Sequence, residues 1–175
     1  MLIELTKLEK LQVGAMDEGT AVGTLKRVVV NPEDLKVIGF TVKIGAVFPK
    51  IKAVSFFDVV DIDINGLAIN SRESLSDAKE IVRLNELMKK KYSIVGQPVR
   101  SKSGKKLGRV TDALVETTTG DILRIYTKYF ISNYVFERSQ IDKVTLREVI
   151  IKESVLKGLK FSKKVTSAEK VPELA

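Results

Sequence analysis

The chain has no cysteine, no histidine and no tryptophan among its 175 residues. Without cysteine there are no disulfides and no thiolate metal sites, which fits a reducing, cytoplasmic setting. Without histidine the chain lacks the usual general base near neutral pH, the Ser-His and Cys-His nucleophile pairs and the commonest zinc ligand. Carboxylates, lysines and tyrosines remain, so catalysis is disfavoured rather than excluded. The expectation is a protein that is not an enzyme, with no cofactor and no metal. Long apolar runs are missing too. The most apolar stretch, Val37 to Phe48, is interrupted by Lys43 and falls short of the roughly 20 residues of a membrane span. The opening MLIELTKLEKLQ mixes acids with apolar residues and has no small-residue cleavage site, so it is not read as a signal peptide.

The composition is that of a folded protein, 44% hydrophobic and 30% charged. The net charge of +8 is unevenly spread, with −1 over residues 1–70, +2 over 71–93, +4 over 94–153 and +3 over 154–175. A basic second half favours an acidic protein, nucleic acid or an anionic surface as partner.

Compared with itself, the chain shows a repeat. Sliding by 85 residues superposes Gly19 and Gly23 on Gly104 and Gly108, Val22 on Leu107, Leu25 on Val110 and Val30 on Val115. Without a gap, Val37-Ile38 then meets Ile122-Leu123, Phe40 meets Ile125 and Lys43 meets Lys128. A shift of about one residue brings Phe57-Asp58 onto Ile141-Asp142. This pattern reads as a tandem duplication.

Each copy is written in short β-branched runs entered through glycine turns, with strands expected over Thr20–Asn31, Lys36–Val47, Lys106–Glu116 and Asp121–Phe130. Val59–Ile64, Asn65-Gly66 and Leu67–Asn70 read as a hairpin with a type I′ turn. Five or six strands of this length are enough to close a small barrel. Between the copies, Ser71 to Lys91 spaces its apolar residues helically, and Asp77 with Glu80 resembles a capping box. The expected organisation is a first barrel over 1–70, a connecting helix over 71–93, a second barrel over 94–153 and a basic tail over 154–175, frayed from about Ser162.

Val95-Gly96-Gln-Pro-Val99, Gly104-Lys-Lys-Leu-Gly108-Arg-Val110-Thr-Asp112-Ala-Leu-Val115 and Gly120-Asp-Ile-Leu together resemble the PRC-barrel domain. That module occurs in the photosynthetic reaction-centre H subunit and in the ribosome-maturation factor RimM. The first copy departs from the pattern, with Arg27 at the place of Asp112 and Leu35 at the place of Gly120. The resemblance implies a mainly β fold of two tandem PRC-type barrels joined by one helix. It also implies a non-catalytic adaptor, since family members serve in ribosome assembly, membrane-associated complexes and cell division.

Several motifs bear on function. Asp61-Ile-Asp63-Ile-Asn65-Gly66 imitates the opening of an EF-hand loop, but Arg72 stands where the closing glutamate belongs, so a hairpin is preferred. Ser101 to Lys106 is a lysine-rich glycine turn. Arg100, Lys102, Lys105, Lys106 and Arg109 are the candidate contacts to phosphate or RNA; the loop N–H groups offer an anion cradle, but a solvated hairpin turn is the preferred reading of the loop. Tyr126, Tyr129, Phe130, Tyr134 and Phe136 cluster near Arg124, Lys128 and Arg138. From this group Tyr134, Tyr129 and Arg138, together with Phe56 of the first copy, are the candidate partner contacts. Tyr134 is expected beside a turn with its ring outward.

The leading expectation is a protein-binding scaffold or adaptor. The alternative is an RNA- or ribosome-associated factor acting through the basic second barrel. An anionic membrane surface touched by the lysine-rich tail ranks lower, and a homo-oligomer stays open.

Overall fold

The computed structural model describes residues 1–156, so the expectation of fraying from about Ser162 lies outside the described residues. The fold is mainly β. Its strands are β1 (Leu2–Glu4), β2 (Gln12–Ala15), β3 (Thr20–Asn31), β4 (Lys36–Ile44), β5 (Lys50–Ser55), β6 (Val59–Ile62) and β7 (Gly66–Ile69) in the first half. The second half holds β8 (Pro98–Ser101), β9 (Lys106–Glu116), β10 (Ile122–Tyr129), β11 (Ser132–Glu137), β12 (Ile141–Val144) and β13 (Val149–Ile151). Three short α-helices accompany them among the described residues, α1 (Leu5–Leu8), α2 (Val82–Lys89) and α3 (Glu153–Leu156).

The strands form two curled sheets with the same order. The first runs β5-β4-β3-β2-β7-β6 and the second β11-β10-β9-β8-β13-β12. In each sheet one pair is parallel, β2 with β7 and β8 with β13, and the other neighbours on these paths are antiparallel. Among the described residues both sheets stay open, so neither half closes into the barrel expected for it. β5 and β6, like β11 and β12, are ends of a path, joined by the 3-10 turns Phe56–Asp58 and Arg138–Gln140. These turns align at an offset of 82 rather than about one residue short of 85, because the β4–β5 connection is longer than the β10–β11 connection.

The shared glycines have a steric cause. A Cβ on Gly108, whose φ is +105°, would lie 2.2 Å from the Lys128 carbonyl oxygen, and one on Gly23 would lie 2.6 Å from that of Lys43. Only a residue without a side chain lets β9 and β3 approach their neighbours so closely.

Two local expectations are corrected. The Asn65-Gly66 turn is not type I′, since neither residue has a positive φ. Instead the Asp63 carboxylate accepts from the N–H groups of Asn65 and Gly66 at 2.7 and 2.9 Å. The same bonds hold Asp63 below the usual carboxylate range and occupy the group that resembled a calcium ligand. Gly66 is required because a Cβ there would meet the Gln12 carbonyl oxygen at 2.9 Å. The connecting segment is also no single helix. Ser76 pairs with Ala53 as an isolated β-bridge, and the Asp77 carboxylate bonds Lys52 at 2.8 Å instead of capping. Only Val82–Lys89 is α-helical.

The halves are laced together. β1 pairs with β9 of the second sheet, Ile3 opposite Val115, so residues 2–4 do not join the sheet that follows them. α1 packs on β9 and α2 on β3. Asp112 accepts from the N–H of Thr6 at 3.2 Å and from its hydroxyl, while Arg83 donates to Asn31 and Glu33. At the centre of the seam Val37 N–H donates to the Gly120 carbonyl at 2.8 Å and Ile122 N–H to that of Leu35 at 2.9 Å. These bonds flank an antiparallel bridge between Lys36 and Asp121. Those two residues are 85 apart, which is the offset of the repeat. The described core is one cluster spanning both sheets.

Candidate functional site

Two clusters that lie apart in the sequence meet at the β8–β9–β10–β11 end of the second sheet. The loop Ser101–Lys105 joins β8 to β9, and Gly104 turns it with φ +87°. Buried Ser101 anchors it, its hydroxyl accepting from Lys105 N–H at 3.1 Å. The tip between β10 and β11 is Phe130-Ile131. Phe130 adopts φ +52°, and the two side chains are 80% and 95% exposed. Phe130 leans edge-on against Tyr129, ring centroids 4.7 Å apart.

Two grooves flank this pair. One, of about 380 Å³, lies between Val99, Arg100, Arg109, Lys128 and Tyr129. The other, of about 240 Å³, lies between Lys105, Leu107, Ser132 and Tyr134. Lys106, Tyr129 and Phe130 border both. Arg100 is tied to Glu148 at 3.4 Å, and Arg109 donates to the Gly96 carbonyl at 3.0 Å. Among the described residues Lys105, Lys106 and Lys128 have no carboxylate within 4 Å. The outer edge of β11 has no partner strand among the described residues. The arrangement supplies positive charge, aromatic faces, two concavities and an unpaired backbone edge.

The sequence-predicted residues divide. Tyr129, Lys105, Lys106 and Arg109 belong to this face, and Arg100 contributes with its charge partly met. Lys102 is exposed on the loop but borders neither groove. The loop is no anion cradle. Its five N–H groups all have acceptors, and Ser103 gives both its N–H and its hydroxyl to Glu153 at 3.0 and 2.9 Å. Tyr134 is not beside the turn. It lies inside β11 opposite Thr127, half-buried, its ring stacked on Phe136 with centroids 6.1 Å apart.

Phe56 and Arg138 belong to the seam. Phe56 packs on Phe40 and against Gly120, where even a Cβ would come within 3.1 Å of its ring. Arg138 donates to the Leu35 carbonyl at 3.1 Å and to that of Asp34, and it pairs with Asp121 at 3.5 Å. These two residues join the halves and leave Phe57, 93% exposed, as the outward ring. Lys128, expected near the aromatic cluster, lies beside the larger of the two grooves, and the exposed tip falls at Phe130-Ile131, just ahead of β11. A phenylalanine at positive φ carries no turn signal, so the residues alone do not mark the turn at Phe130-Ile131.

The matching end of the first sheet differs in charge. The counterparts of Arg100, Lys106 and Arg109 are Ala15, Ala21 and Thr24, and the loop is Asp17-Glu18-Gly19. Arg72 grips Glu18 at 3.0–3.1 Å and holds its carboxyl below the usual range. The charges of Arg100, Lys106 and Arg109 therefore have no equivalents in the first half, whereas Lys128 is matched by Lys43.

Among known families, the PRC-barrel domain matches residues 88–127, which run from the end of α2 through β8 and β9 into β10. The match covers less than a quarter of the chain and includes part of the grooved face. No curated protein matches. Among the described residues no helix is long and apolar enough to cross a membrane, and no three acidic side chains converge as a metal site would need.

Proposed function

We propose that the chain is a non-catalytic protein-binding scaffold built from a duplicated PRC-type unit, with residues 71–93 as connector and the grooved face of the second unit as its contact surface. The observation that carries this reading is the convergence on one face of lysines without a carboxylate partner, the Tyr129–Phe130 pair and the β11 edge without a partner strand, both absences holding among the described residues. An extended segment of a partner adds to that edge through main-chain hydrogen bonds, its alternate side chains entering the groove beside Tyr134. The partner segment is acidic and apolar by turns, matching Lys105, Lys106 and Lys128 on one side and the exposed tip on the other. Equal strand orders and the Lys36–Asp121 pairing support the duplication.

Affinity capture from native extract tests the reading, with and without nuclease. The wild-type chain is expected to retain a small set of nuclease-resistant proteins. Phe130→Ser with Ile131→Ser is expected to lose them, since a buried aromatic anchor typically contributes about 2 kcal/mol or more. Retention by the double variant overturns the assignment of the face. The second reading, RNA binding, rests on the lysines left unpaired beside an aromatic pair. It predicts captured RNA lost on nuclease treatment and affinity falling steeply with salt.

A further inference from the structure

We propose that the β4–β5 tip, Gly45 to Pro49, is a docking point for an anionic lipid bilayer. This goes beyond the protein-binding reading and uses the opposite half of the molecule. Val47 and Phe48 are 80% and 84% exposed there, and Ile51 on the adjoining strand is also exposed. No acidic residue occurs from Leu35 to Phe57, while Lys36, Lys43, Lys50 and Lys52 do. Lys52 is engaged by Asp77. Lys43 and Lys50 flank the tip and, among the described residues, have no carboxylate within 4 Å.

The contrast with the second half identifies the occupant. Phe130 leans on Tyr129 between two grooves, an arrangement that suits a shaped ligand. Phe48 has no ring partner among the described residues, and the longer connection carries it beyond the strands. A protruding apolar tip in a lysine collar needs a surface that yields around it and carries negative charge. Both are properties of a bilayer containing acidic lipids, where buried apolar area and electrostatic attraction add. A molecule so built holds a protein at one half and a membrane at the other.

The chain has no tryptophan, so Phe48→Trp in the full chain places its only indole at the tip, where it can be excited selectively over the tyrosines. Its emission is expected to shift to the blue with vesicles of phosphatidylcholine mixed with phosphatidylglycerol, and not with phosphatidylcholine alone. In co-sedimentation, Val47→Ser with Phe48→Ser is expected to weaken binding to mixed vesicles by about tenfold or more. Lys105→Ala with Lys106→Ala, on the other face, is expected to retain the blue shift. No blue shift overturns the proposal, even if the protein sediments, because binding then runs through another part of the chain. Serine variants that sediment like the wild type overturn it as well. Loss of a captured protein from those variants, without vesicle binding by the wild type, makes the tip a protein contact instead.

Discussion

Tyr92 is buried where the chain leaves α2 for the second sheet, and its hydroxyl has no hydrogen-bond partner among the described residues. Its backbone N–H is bonded to the Leu87 carbonyl at 3.0 Å, so the ring is held while its polar end is stranded. An unpaired buried hydroxyl costs on the order of 1 kcal/mol or more. Tyr92→Phe keeps the ring, and urea unfolding at pH 8 is expected to show a gain of about 1 kcal/mol. Burial also raises the phenol above its ordinary value near 10. The folded chain then keeps the proton at a pH where the unfolded chain has released it. Stability is full below the unfolded value and is lost as pH rises through the folded one. Wild-type stability is thus expected to fall as pH rises above about 10, and that of Tyr92→Phe to fall less. Equal slopes would mean that the hydroxyl reaches water.

The hairpin elements depend on glycine in a way that links fold to site. Gly108 sits where β9 must pass beneath the Lys128 carbonyl, at the floor of the larger groove. Gly108→Ala adds a Cβ at a contact distance no real side chain adopts and forces a positive φ. The expected loss is about 2 kcal/mol or more, read by thermal unfolding. Capture of the partner is expected to fail together with the β9–β10 register. Gly104→Ala, which meets no neighbour but also has a positive φ, is expected to cost less.

This dependence explains why the strands were legible. Gly23 and Gly108 mark close approaches that leave no room for a side chain, and Gly19 and Gly104 mark positive-φ turns that glycine adopts at least cost, so the same spacing stands in both halves. The elements that were not legible were decided by distant groups. Asp63 captured the Asn65-Gly66 turn, Ala53 drew Ser76 into a bridge, and Lys52 took the Asp77 carboxylate. A helical spacing over Ser71 to Lys91 contains none of that. The site was half legible for the same reason. Charge and aromatic content are local, but which ring faces outward depends on a turn at Phe130-Ile131 without turn residues. Which rings and cations face inward depends on a seam, holding Phe56 and Arg138, that joins residues about a hundred positions apart.

At the scale of the molecule the two sheets are reciprocal. α1 precedes the first sheet and packs on β9 of the second as well as on β3 of its own, while α2 precedes the second sheet and packs on β3 of the first. A residue and its counterpart 85 positions on pair across the centre, as the two chains of a symmetric dimer pair about their axis. Halves that each hold a piece of the other cannot unfold one at a time without exposing that piece. Ile3 tests this, because it is buried in β1 against β9 although it lies at the start of the first half. Ile3→Ala removes buried methyl groups and is expected to cost about 2–4 kcal/mol. If the halves form one cooperative unit, hydrogen exchange should accelerate alike in the core amides of β9 and β3. Acceleration confined to β9 would mean that the second sheet opens alone, leaving two modules that merely touch. Equal acceleration would mean that strain applied at one half is felt at the other, as a scaffold holding different surfaces in fixed relation requires.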